Sequence, residues 1–234
     1  MKYVRDNLHG FSERPHYEPN ELDVMFERLV VEFLKRKHGK VEFPFTTEDV
    51  TTLIERDVTD LDQYADLSHY GAAVEGVTEF ARAGKPRVLI SNDVHRYENR
   101  LRTTLTHEYG HVILHAYLFA VEYRRLSLGP NQKSNAIYCK RDAILGAKKT
   151  DWMEWQAAYA SGAALMPRTY VREIVADIQK ARNIYGPSLP TSDGGRALIK
   201  AVMDRFQVSR EAATVRLKIL NYLGYEPVTR SLFS

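Results

Sequence analysis

The sequence predicts an α+β fold, mostly helix with one small sheet, followed by a helical C-terminal part. Three observations carry that expectation. Apolar residues recur at helical spacing over several long stretches. Two short β-prone runs, "AAVEGVTEFA" and "PRVLISND", flank a Gly-containing break, "RAGK", that reads as a hairpin turn. The last third consists of helical segments separated by "GPSLPTSDGG" and "QVS".

In chain order, a polar start precedes a helix over Asn20 to Lys37, with apolar Leu22, Met25, Phe26, Leu29, Val30, Phe33 and Leu34 and with Asn20 as its cap behind Pro19. Phe45 to Leu67 reads as a short capped helix and then an acidic, turn-rich stretch. Its seven Asp/Glu against one Arg suit a solvated face better than a site for a basic partner. After the hairpin, a long helix is expected from about Tyr97 to Phe119. Glu122 to Thr150 has no regular pattern, and a further helix fills about Asp151 to Met166, ahead of Pro167. Beyond it, helices are expected over Arg168 to Asn183, Gly195 to Phe206 and Ser209 to Leu223.

Composition limits the function classes. With 44% hydrophobic and 27% charged residues the chain reads as a soluble globular protein, and no apolar run approaches the roughly 18 residues that span a bilayer. The start lacks the apolar segment of a signal peptide. Cys139 is the only cysteine, so no internal disulfide can form and a reducing cytoplasm is the expected compartment. Net charge is +3, too little to indicate a nucleic-acid binder, although from Arg168 onward 11 Lys/Arg stand against 6 Asp/Glu.

The chemistry concentrates in "LTHEYGHVILH", Leu105 to His115. On a helix, residues four apart share a face, so His107 and His111 can present ring nitrogens to one metal ion. Glu108 follows by about 100°, which sets its carboxylate beside the ion, where it can take a proton from water and pass it to a leaving amine. A catalytic zinc site wants three protein ligands and one open position. His115, two steps beyond His107, cannot close around an ion with the other two from one straight helix, and it reads as a helix-face residue or a support behind a ligand. In "DWMEWQAAYASGAALMP", Glu154 lies in a first turn, above a face of small residues at Ala157, Ala158 and Ser161 suited to close helix packing. A buried carboxylate there would need a partner such as a metal, whereas an exposed one would complement the helix dipole. Spacing alone leaves both readings open.

The two motifs in this order, "LRTTLTHEYGHVILH" and "MEWQAAYASGAALMP", resemble the ImmA/IrrE family of metallopeptidases, and the resemblance runs from about Ala73 to Tyr225 through "RVLISND" and "FQVSREAATVRLKILNYLGY". It implies a zincin-like metallopeptidase core over 46–167, between an N-terminal helical segment, 1–45, and a helical C-terminal region, 168–234. It further implies one Zn2+ per chain held by His107, His111 and Glu154, Glu108 as general base, and an intracellular protease that cleaves an Xre-like helix-turn-helix repressor. Ala158 departs from the family's usual Asn or Asp at that place, and the chain has no room for the sensor domain of the longer radiation-response members.

The rival class is a DNA-binding transcriptional regulator with a non-catalytic metal site. Residues 195–223 read as helix, turn, helix with basic Arg205, Arg210, Arg216 and Lys218. The same shape serves as packing, and structural zinc sites usually close with four ligands, mostly cysteines, so direct DNA binding is not the expected role. Cys139, beside Lys140 and Arg141, reads as a buried thiol rather than a redox sensor, and Trp152 and Trp155 as core. "PRVLISND" is expected to offer an exposed edge strand for an extended substrate. His115, Tyr97 and Tyr138 remain open as oxyanion stabilisers.

Overall fold

A computed structural model describes residues 1–71, 73–81, 84–126, 136–140 and 151–225. Its contacts divide the chain into two units, Met1–Leu165 and Met166–Ser234.

The first unit opens with a hairpin of β1 (Lys2–Arg5) and β2 (Glu13–His16), paired antiparallel. The polar residues of "KYVR" and "ERPH" show no alternation that would announce it. Asp6 shapes the connection, accepting from the backbone N–H groups of Leu8, His9 and Phe11 and from Trp152 Nε1. Helix α1 (Pro19–His38) follows. Its cap is Glu18 rather than the expected Asn20: Pro19 takes the first helical position, where a missing N–H costs nothing, and Glu21 reaches back to the Glu18 N–H at 2.9 Å. Leu22, Phe26, Val30, Phe33 and Leu34 are buried on one face, and each contributes roughly 1.5–3 kcal/mol relative to exposure.

Helix α2 (Thr47–Glu55) is capped by Thr46, whose hydroxyl accepts from Asp49 N–H. The acidic stretch beyond it is not a turn but a strand, β3 (Asp60–Ala65). It lies at an edge, so only one side must pair, and water can solvate its aspartates. Strands β4 (Val74–Glu79) and β5 (Arg87–Ser91) form the predicted hairpin. The sheet order is β3-β5-β4-β6, with β3 parallel to β5 and β6 (Ala136–Lys140) antiparallel to β4. "PRVLISND" is therefore an interior strand and not the exposed edge expected of it. The reason lies in β3, which pairs with its outer side. Strand β6 also places regular structure inside the stretch expected to be irregular. The readings of Cys139 and Tyr138 concern side chains outside those described.

Helix α3 (Glu98–Leu126) runs about two turns past the predicted end and packs on β4, α2 and α4 (Trp152–Leu165). The α3–α4 approach depends on small residues. A Cβ on Gly110 would lie 3.0 Å from Ala157 Cα and 3.2 Å from Ala160 Cβ. Thr106 Oγ1 meets Ser161 Oγ at 2.7 Å. The packing face is thus Ala157, Ala160 and Ser161, with the predicted Ala158 only half-buried. Phe11, Phe80, Leu118, Phe119, Trp152 and Met153 form a core cluster at one end of α3.

The second unit contains α5 (Arg168–Arg182), α6 (Asp193–Phe206) and α7 (Arg210–Ile219), with Ser192 and Ser209 capping the last two. Leu198, Val202, Phe206, Val208, Ala212 and Leu217 are buried as the helical pattern predicts. Arg216, grouped at first with the basic residues of a DNA-reading unit, is buried instead. Four residues beyond Ala212, it falls on the apolar face of α7, and its Nε donates to the Met166 carbonyl at 3.0 Å. Arg205 and Arg210 are exposed, whereas Lys218 is half-buried with its ammonium over the Tyr225 ring.

Among the described residues no helix is long and apolar enough to cross a membrane.

Candidate metal centre

The helical spacing of His107 and His111 turns both rings towards α4, and both are fully buried. Their Nε2 atoms stand 3.1 Å apart. Asp151 caps α4, accepting from the Glu154 N–H at 3.3 Å, and that first turn delivers Glu154 to the same point. Its Oε2 lies 3.2 Å from His107 Nε2 and its Oε1 3.3 Å from His111 Nε2. One donor atom from each residue falls within 4.8 Å of the others.

This triangle is the right size for an ion. Although the nitrogens stand at ion-pair distance, neither Glu154 oxygen receives an aligned hydrogen bond. Two imidazole nitrogens face each other and a carboxylate. Donors at about 2.0–2.1 Å from a tetrahedral ion stand roughly 3.3 Å apart, close to the separations observed. Burial alone would push the Glu154 carboxyl up, but the two imidazoles outweigh it and hold the group well below the usual carboxylate range. A charged carboxylate and two imidazoles, 9% exposed at most, are a donor set that fits a divalent metal.

Glu108 leaves α3 one residue after His107 and faces the sheet. Thr78 on β4 donates its hydroxyl to Glu108 Oε2 at 2.6 Å. Gly76, two residues earlier on the same face of β4, leaves the room: a Cβ there would lie 2.3 Å from Glu108 Oε1. Sequence reasoning did not single out Gly76 or Thr78. A glycine inside a β-prone run was the available signal, since it marks a close approach.

His115 is not brought to the triangle. Its Nδ1 meets His111 Nδ1 at 3.0 Å, and its Nε2 meets Gln156 Oε1 at 3.0 Å. Both nitrogens are engaged, so His115 is no candidate for stabilising an oxyanion. Burial first, then the neighbouring His111, push its pKa well below the ordinary imidazole value. Tyr97 is 63% exposed. Trp152 is core, as expected, with its ring edge-on to His115 and its indole N–H on Asp6.

With this geometry in place, the family comparison decides the class. A family model for the IrrE N-terminal-like domain, peptidase family M78, matches residues 58–218. The chain belongs to that metallopeptidase family. The match spans both helices of the site and most of the second unit, and it begins after the β1–β2 hairpin and α1. No curated protein matches the chain.

Proposed function

We propose that this M78 member is a zinc-dependent endopeptidase that cleaves an Xre-like helix-turn-helix repressor, with His107, His111 and Glu154 as ligands and Glu108 as general base. The observation that carries the reading is the buried triangle of two Nε2 atoms and one carboxylate, spaced at 3.1–3.3 Å, with Glu108 on the next helical position. Two imidazoles and one carboxylate are a known donor set for catalytic zinc, which keeps one position open. When bound, zinc would polarise the scissile carbonyl and make water acidic enough to react near neutral pH.

The protein's own residues do the rest. Glu108 accepts a proton from the attacking water as oxygen bonds to the carbonyl carbon, then delivers a proton to the departing amine as the C–N bond breaks. Thr78, donating to Oε2, fixes the carboxylate that makes that transfer. The single cysteine supports a cytoplasmic setting, and the resemblance of the paired motifs supports a repressor as substrate. Burial of Arg216 weighs against the rival DNA-reading role for 195–223.

Zinc-loaded protein incubated with the helix-turn-helix repressor of its own genetic neighbourhood tests this reading. Intact-mass analysis should give two fragments whose masses sum to the repressor plus one water. An uncleaved repressor would contradict the substrate assignment. A subtler expectation concerns Gly76→Ala. Because the clash falls on the Glu108 side chain, from Cγ to Oε1, and not on backbone, the fold should survive while Glu108 swings off Thr78. Activity should drop roughly 10–100-fold, as misplacements near 1 Å do, in a variant that still unfolds cooperatively. Wild-type activity in this variant would show that the sheet does not position the base.

A further inference from the structure

The two histidines of the triangle are supported differently. Among the described residues, His107 Nδ1 has no hydrogen-bond partner. His111 Nδ1, by contrast, begins a chain of contacts that leaves the family-matched region altogether. It meets His115 Nδ1 at 3.0 Å, His115 Nε2 meets Gln156 Oε1 at 3.0 Å, and Gln156 Nε2 donates to the Pro15 carbonyl at 3.1 Å. Every side chain in this series is 1% exposed or less.

The direction of each hydrogen bond follows from its far end. Pro15 O can only accept, so the Gln156 amide must turn its NH2 towards β2 and its oxygen towards His115. Gln156 Oε1 can only accept, so the one N–H of a neutral His115 imidazole sits on Nε2. That leaves His115 Nδ1 as an acceptor, and His111 must supply the proton from its own Nδ1. A His111 ring protonated at Nδ1 has its free lone pair on Nε2, the atom that faces His107 and Glu154. The opposite tautomer would place a proton in the middle of the donor triangle.

We propose that His115 and Gln156, anchored on Pro15 of the N-terminal hairpin, are positioning residues that hold His111 in the Nδ1–H tautomer and so ready its Nε2 to bind metal. The proposal rests on the metal-site reading above and adds to it. It gives the first hairpin, which lies outside residues 58–218, a part in the centre. It also explains a third histidine at helical spacing that is not a ligand. Outer partners of ligating histidines typically contribute about 10–100-fold to metal affinity.

The test is competition for zinc between a chromophoric chelator and the metal-stripped protein, with thermal melting of each metal-free variant alongside. His115→Leu and Gln156→Leu should each weaken zinc binding about 10–100-fold. The double variant should lose no more than the worse single one, because both cut the same chain. Gln156→Glu keeps an acceptor for His115 whichever way it turns but loses the tie to Pro15, so its zinc affinity should fall between those of wild type and Gln156→Leu. Merely structural residues would lower the melting temperature without this pattern. Folded His115→Leu and Gln156→Leu with wild-type zinc affinity, losses that multiply in the double variant, or a Gln156→Glu as weak as Gln156→Leu would each overturn the proposal. A wild-type chain that binds no zinc would overturn the metal-site reading beneath it.

Discussion

Glu108→Gln should abolish hydrolysis while leaving the fold and the metal in place. Glutamine is nearly isosteric and its amide oxygen can still accept from Thr78 Oγ1, now 2.6 Å from the carboxylate. The residue is fully buried, so a change of shape would be felt, and this one preserves shape. What it removes is the ability to take up a proton. Loss of a general base costs on the order of 10²–10⁴ in rate. Turnover of a fixed substrate, measured beside the zinc content of the same preparation, checks both halves of the expectation. Full activity in a zinc-loaded Glu108→Gln protein would remove Glu108 from the mechanism.

Much of this centre can be read in the sequence because it is local. His107, Glu108 and His111 share one helix, so the 3.6-residue period places them without any knowledge of the rest of the fold. The same period anticipates the helices, and the Gly-containing break anticipates the β4–β5 hairpin. What escapes is set by pairing between distant segments. Strand β3 looks like a turn because its aspartates face water at an edge, and β5 looks like an edge because nothing local shows that β3 covers it. The β1–β2 hairpin is too polar to announce itself. The contact of Gly76 with Glu108 joins residues 32 apart in sequence, and the run from Pro15 through Gln156 to His111 joins three distant segments. Arg216 misleads for a related reason: its charge suggests surface, but its place on α7 dictates burial.

Glu154→Ala should cost the protein most of its metal affinity. It removes one of the three proposed ligands and the only negative charge in the triangle, leaving two imidazoles from a single helix. The loss should exceed the roughly 10–100-fold attributed to an outer supporting residue. The fold should persist, because the removed carboxylate has no aligned hydrogen bond to lose and the Asp151 cap on the Glu154 N–H is a backbone contact. His115→Ala makes the comparison: it keeps all three proposed ligands and should still take up one zinc per chain when zinc is in excess. Stoichiometric zinc in Glu154→Ala, with loss of zinc in His115→Ala, would mean that the ligand set has been assigned the wrong way round.

The central claim, that these buried side chains cut peptide bonds with the help of a metal, is tested most directly without choosing a substrate beforehand. Metal-stripped protein is added to a pool of folded bacterial proteins, with or without one equivalent of zinc, and newly formed N-termini are identified by labelling and mass spectrometry. The account predicts new internal N-termini in the zinc-loaded wild type that are absent from the metal-stripped protein and from zinc-loaded Glu108→Gln. The same set of N-termini in all three samples would contradict it.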